Sequence, residues 1–369
     1  MTTIYLVRHA EAEGNLYRIA QGQNNSNLTT RGWRQVQALE RRFADIPIDA
    51  VYASDLFRTC ATASSVYKPK GLELHRMREL REICVGDWEE CTWGDIYRRD
   101  AEQMDNFSNH PERWRVNGAE EPAQVLERVL TAIRNIAKEN DGKTVAVFSH
   151  GYALRLLLAR LQGFSIAEMA QTPVGDNTAV SLIEVEGAEM RVVFRDDNSH
   201  LHRPEYLAGE MVRKRATGLE PGLYFEPFEM EAHRELFVDL VSSVWTESGD
   251  KRPFDRERLL ADTAERPTLI GYRAGEMVGV VQFGPEKGWI SLACVRAEWR
   301  KRGFGIQMIG QAVLHDRPRG CESLRIALPV ESPFRQFCEE HGFVWQEETT
   351  EGRMILEKNI GFDPEITWG

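Results

Sequence analysis

The chain has 369 residues, of which 42% are hydrophobic and 28% charged, and its net charge is −11. At roughly 150 residues per domain this length predicts two or three domains, and the apolar share excludes a wholly disordered chain. Both halves are acidic, which argues against a nucleic-acid partner, since that needs a basic face to displace counterions.

No segment approaches the ~20 apolar residues of a bilayer span, so no membrane partner is expected. The N-terminus lacks a basic region, and its apolar run Ile4-Tyr5-Leu6-Val7 is too short for a signal peptide. Six cysteines are scattered without a CxxC pair, which predicts neither a zinc site nor a disulfide framework. A cytoplasmic location is expected.

In chain order, an apolar run at 4–7 is followed by a polar loop and a helix over 32–44. A second run at 50–53 leads through Ser54-Asp55 into a helix reaching about 67, ahead of Pro69. A long amphipathic helix is predicted over 123–137, then a strand at 144–148, Ser149-His150-Gly151 and an apolar helix over 152–161. Runs at 178–185 and 190–195, joined by Glu186-Gly187, read as a closing strand pair. This alternation is the α/β pattern of helices covering a largely parallel sheet.

Turn formers and a Lys/Arg cluster between 203 and 227 mark a linker, placed at 206–218 between domains 1–205 and 219–369. The linker is expected to separate the two cores. The second domain reads as α+β: a helix at 230–245, alternating strands at 268–273, 277–283 and 289–295, and a helix from 305. A strand at 324–328, a helix at 334–341 and strands near 343–347 and 353–357 follow.

Arg8-His9 and Ser149-His150-Gly151 each follow a buried-looking strand, which places both histidines where open α/β sheets bind ligands. Arg58, on the first turn after the 50–53 run, converges with them. Two histidines, two arginines and helix N-termini suit a phosphoryl group. Leu80-Arg81-Glu82 supplies a carboxyl ahead of Gly86-Asp87-Trp88-Glu89.

These segments, with Asn15, Gln21-Gly22, Leu28-Thr29 and a trailing Asn177-Thr178-Ala179, resemble the histidine phosphatase superfamily, also called phosphoglycerate mutase-like. The resemblance covers about residues 1–205 and implies a three-layer α/β/α domain. It implies that His9 is a nucleophile forming phosphohistidine, that Arg8, Asn15, Arg58 and His150 bind the phosphoryl group, and that Glu82 is the general acid. The implied substrate is a small phosphate monoester, with no metal and no cofactor for this domain; a phosphoglycerate mutase is the alternative. Three positions depart from the pattern: Ala10 stands for glycine, Asn24-Asn25-Ser26-Asn27 replaces an acidic position, and Glu90 adds a charge near the expected pocket mouth.

Arg300-Lys301-Arg302-Gly303-Phe304-Gly305 lies between a strand and a helix, where glycines let backbone amides approach an anion. It lacks the Gly-Lys-Ser/Thr of a P-loop. The turn, with Phe337 and Gly342-Phe343, resembles the pyrophosphate-binding turn of GNAT acetyltransferases over about 219–360. That implies acetyl-CoA as cofactor and a small-molecule amine as acceptor. The family's thiolate-protonating tyrosine falls at Cys338 and a frequent glutamate near Trp289, so a CoA-binding sensor without turnover is the alternative.

Overall fold

The computed structural model describes residues 1–202 and 222–369; the linker expected at 206–218 and the boundaries at 205 and 219 lie outside the described residues. The N-terminal half runs β1 (Thr2–Arg8), α1 (Glu13–Tyr17), α2 (Thr30–Phe43), β2 (Ala50–Ser54), α3 (Phe57–Lys70) and β3 (Leu74–Met77). It continues with α4 (Trp93–Arg99), α5 (Ala101–Asn109), α6 (Pro122–Glu139), β4 (Thr144–Ser149), α7 (Gly151–Leu161), β5 (Val180–Glu186) and β6 (Glu189–Asp197). Its sheet has the order β3-β2-β4-β1-β5-β6. The four strands on the β3 side are parallel, and β5 and β6 are antiparallel additions.

Alternation of side chains along a strand explains the layers. Ile4 and Leu6 of β1, with Val145 and Val147 of β4, enter one core against α6 and α7. Val7, Ala146 and Phe148 enter the other, against Leu39 and Phe43 of α2 and Ala63 and Val66 of α3. The expectation of three layers agrees with this arrangement. Pro69 does not end α3: it occupies the last turn, and the helix closes at Gly71 in the left-handed conformation. In that turn the missing N–H removes one bond without stopping the helix.

The C-terminal half is a second, mostly antiparallel sheet domain: β7 (Tyr224–Pro227), α8 (Met230–Glu247), α9 (Arg256–Glu265), β8 (Thr268–Arg273), β9 (Glu276–Phe283) and β10 (Trp289–Val295). Then come α10 (Gly305–Asp316), β11 (Ser323–Pro329), α11 (Arg335–Glu340), β12 (Val344–Glu348) and β13 (Arg353–Asn359). The strand order is β12-β13-β11-β10-β9-β8-β7. The β10–β11 pair is parallel and brief, with Trp289 opposite Arg325 and Ile290 opposite Ile326.

The two cores are not separate. Tyr17 and Ile19 are buried among Leu223, Val281, Met308 and Ile309 of the second domain. Arg317 pairs with the buried Glu13 at 2.9 Å, and Asn27 Nδ2 donates to the carbonyls of Ile360 and Gly361. Residues after β13 return to the first domain, where Phe362 and Trp368 pack on Phe57. The expectation of isolated cores failed because α1 is short and its apolar face finds partners some 290 residues away in sequence.

Candidate active site

His9 follows the last residue of β1, and His150 follows the last residue of β4. Because β1 and β4 are parallel neighbours, with Arg8 opposite Ser149, the two imidazoles emerge side by side. Their ring centroids lie 5.3 Å apart. His9 is 5% exposed, and His150 and Arg58 are more deeply buried still. Nδ1 of His9 lies 2.7 Å from the carbonyl of Ala10. A carbonyl only accepts, so Nδ1 carries the proton and the Nε2 lone pair is left for attack.

Arg8 donates to the Gly175 carbonyl. A Cβ at Gly151 would lie 3.1 Å from Arg8 Nε, so glycine at the head of α7 leaves room for this guanidinium close to the backbone. Arg58 donates to the carbonyls of Gly22 and Asn24, while its buried Nε has no partner. Both ring nitrogens of His150 are likewise buried without partners. Three orphaned buried polar atoms on these two convergent groups require an explanation, and an anion seated among them supplies one.

Both imidazoles are held neutral. Burial pushes His9 well below its usual 6.5, followed by the Arg58 and Arg8 charges; burial and Arg58 act the same way on His150. The unfolded chain therefore takes up protons near pH 6.5 that the folded chain refuses. The resulting stability is full above pH 6.5 and is lost as pH falls through that value toward the folded pKa values. NMR titration should show neither imidazole protonating between pH 7.5 and 6, while the denaturation midpoint falls over the same interval. Protonation of His9 at pH 6.5 would contradict the account.

Glu82 lies at the N-terminus of α7, where its carboxylate accepts from the N–H groups of Tyr152 (3.0 Å) and Ala153 (2.9 Å) and from its neighbour Ile83. Asn15 turns its amide oxygen to the Ala12 N–H at 3.0 Å, which leaves its NH₂ as the group to offer a phosphoryl oxygen. Ala10, where the family pattern has glycine, is buried in a cluster that includes Phe57 and Cys60. Asn25 caps the start of α3, accepting from Phe57 N–H at 2.8 Å. Glu90, expected near the pocket mouth, lines a small crevice with Tyr17, Asn24 and Arg317.

Sequence reasoning placed Glu89 in the Gly86-Asp87-Trp88-Glu89 block but not its role: its carboxylate accepts from the N–H groups of Gly22, Gln23 and Val85 and so fixes the loop that orients Arg58. It also missed the bidentate Arg81–Asp55 pair, and it gave no role to Asn177, which donates to the His9 carbonyl. Fixed hydrogen-bonding spacings of this kind carry no local signal. Among the described residues, no group of three or more His, Cys, Asp and Glu side chains could hold a metal ion, and no helix is long and apolar enough to cross a membrane.

The turn of the second domain lies apart from this pocket, between β10 and α10. Gly303 has φ +79°, and a Cβ there would meet nothing within 4 Å. α10 has no side-chain cap, so its first N–H groups are not satisfied by a side chain. Arg300 does not face the turn's open side: it donates to the Val295 carbonyl, pairs with Glu247 and lies over Phe334. Arg302 stacks on Trp299, Lys301 adopts a positive φ, and Phe304 is buried.

Residues 4–198 match the model of the histidine phosphatase superfamily (branch 1). Phosphoserine phosphatase 1 of Hydrogenobacter thermophilus is 29% identical over 206 residues, which is 56% of this chain and 96% of that protein. "Probable phosphoglycerate mutase GpmB" of Salmonella choleraesuis is 29% identical over 163 residues, 44% of this chain and 76% of its own. The solved structure of YhfR from Bacillus stearothermophilus superimposes with a TM-score of 0.53 at 32% identity, covering 54% of this chain and 99% of that one.

Proposed function

The chain belongs to the histidine phosphatase superfamily (branch 1), and from that membership we propose that its first domain hydrolyses a small phosphomonoester through phosphohistidine. The observation that carries this reading is the pair of buried, neutral imidazoles flanked by Arg8 and Arg58. His9 Nε2 attacks phosphorus in line as the bond to the alcohol oxygen breaks. Glu82 gives that oxygen a proton, then takes one from the water that attacks phosphohistidine, which restores both groups. Arg8, Arg58, His150 and the Asn15 amide hold the phosphoryl oxygens and stabilise their growing charge. Hydrolysis rather than mutase action is favoured by the short segment, about sixty residues, between Glu89 and His150. Release of phosphate from p-nitrophenyl phosphate in EDTA tests the reading; a strict metal requirement would count against it.

For the second domain we infer a GNAT-like fold that binds acetyl-CoA at 300–305. The reading is supported by the early parting of β10 and β11, which opens a wedge at their C-terminal ends beside the uncapped α10. The backbone at Gly303 is open for an anion to approach, whereas the Arg300 side chain donates to Val295 and pairs with Glu247. The Cys338 thiol is buried and pushed up to about 12, so it packs rather than ionises, which favours binding without transfer. Gly303→Val forces a β-branched residue to positive φ and places its side chain in the open approach to the backbone. Calorimetry should then show no CoA binding while phosphatase turnover persists. Equal binding by wild type and variant would reduce these residues to a plain turn.

A further inference from the structure

Arg58 is braced from two sides, and both braces reach the second domain. Its guanidinium donates to the carbonyls of Gly22 (2.8 Å) and Asn24 (2.7 Å), so the 22–27 loop holds the side chain. Its backbone is set by the start of α3, where the Phe57 N–H donates to Asn25 Oδ1 at 2.8 Å. Leu56, the cap residue of α3, has no side-chain group to offer, so that helix start relies on contacts from elsewhere.

Residues 360–369, which follow β13, grip both braces. At one end Asn27 Nδ2 donates to the carbonyls of Ile360 and Gly361, and Arg317 Nε donates to that of Ile360 at 2.9 Å. At the other the Gly369 N–H donates to the Asp55 carbonyl at 3.0 Å, and the Trp368 carbonyl accepts from Arg76 at 2.7 Å. Between these ends the Phe362 and Trp368 rings pack on Phe57, with centroids 4.9 and 6.1 Å away. Ile366 is buried in the cluster that holds Phe57 and Ala10, the residue after His9. The side chain of Asp55 carries the bidentate pair to Arg81, the neighbour of Glu82. The segment is a strap over the root of Arg58, and it lies beyond the superfamily match, which ends at residue 198.

We propose that this strap sets the position of Arg58, with Phe362 and Trp368 as positioning residues, so that the phosphate pocket is complete only when the second domain is in place. The proposal rests on the phosphatase reading of the His9 pocket and adds a dependence on a segment outside the matched domain. A misplacement of about 1 Å at a group that orients the reacting phosphoryl costs up to about 10²-fold. Arg58 holds phosphoryl oxygens in the bound ester as well as in the transition state, so its displacement weakens anion binding together with turnover.

The test uses the full chain, with p-nitrophenyl phosphate as substrate and orthophosphate as competitive inhibitor, under conditions where circular dichroism shows each variant folded. In Phe362→Ala/Trp368→Ala the Ki of orthophosphate should rise by about tenfold, and kcat/KM should fall by about 10–100-fold. Trp368→Ala alone, at a half-buried position, should move both in the same direction by about threefold or more, which decides the matter even where the double variant does not fold. Trp368→Phe keeps a ring on Phe57 and should restore the wild-type Ki. Trp345→Ala, at an exposed position on β12, should leave it unchanged. Loss of packing alone lowers the denaturation midpoint without moving the Ki of the folded protein. An unchanged Ki in folded Trp368→Ala, or an equal rise in Trp345→Ala, would therefore overturn this proposal and leave the phosphatase reading intact. Wild type unable to turn over the aryl ester would instead overturn that reading, and this proposal with it.

Discussion

His9→Ala should lower p-nitrophenyl phosphate turnover by at least about 10⁴, the scale seen when a covalent nucleophile is removed from an otherwise intact site. The side chain is positioned by a hydrogen bond from Nδ1 to its neighbour's carbonyl and by the strand beneath it, so the variant loses chemistry and not the fold. His150→Ala should cost less, about 10²–10³, because it removes one of several groups stabilising transition-state charge. Circular dichroism and the denaturation midpoint check that each variant is folded. Unchanged turnover in His9→Ala would dismiss the assignment outright.

Glu82→Gln should slow an alkyl phosphate by about 10²–10⁴ and a nitrophenyl ester far less, since a general acid matters in proportion to how poor the leaving group is. The carboxylate accepts from three N–H groups, two of them at the head of α7, so it is aimed by the helix rather than by a side-chain partner. Gln keeps the shape and one acceptor oxygen but cannot deliver a proton. Equal losses on both esters would make Glu82 a positioning residue for α7 instead.

The catalytic strands were legible because both are buried on two faces and read as short apolar runs, with His9 and His150 directly after them. Arg58 was legible from its place on the first turn after a third such strand. α4 and α5 were not read, since Trp93–Asn109 mixes aromatic and charged residues with little periodicity. α5 brings Phe107 against Tyr152, whose N–H holds Glu82, so this flank of α7 was hidden from sequence. The role of Glu89 stayed unread for a different reason: its partners are backbone N–H groups of two separate loops. The shared core was invisible because Tyr17 and Ile19 follow no long helical pattern, and their partners come from a distant sheet and from α10. Strand order in the second domain depends on β13 inserting between β11 and β12, which no local pattern reports.

The central claim is that phosphate passes through His9, and rapid-quench trapping tests it most directly. Wild-type protein mixed with excess aryl phosphate and denatured in alkali within milliseconds should carry one acid-labile, alkali-stable phosphoryl group. Peptide mass spectrometry should place it on His9, and Glu82→Gln should accumulate at least as much of it wherever its second, water-consuming step is slowed. Steady phosphate release with no labelled His9 at any quench time would contradict the account.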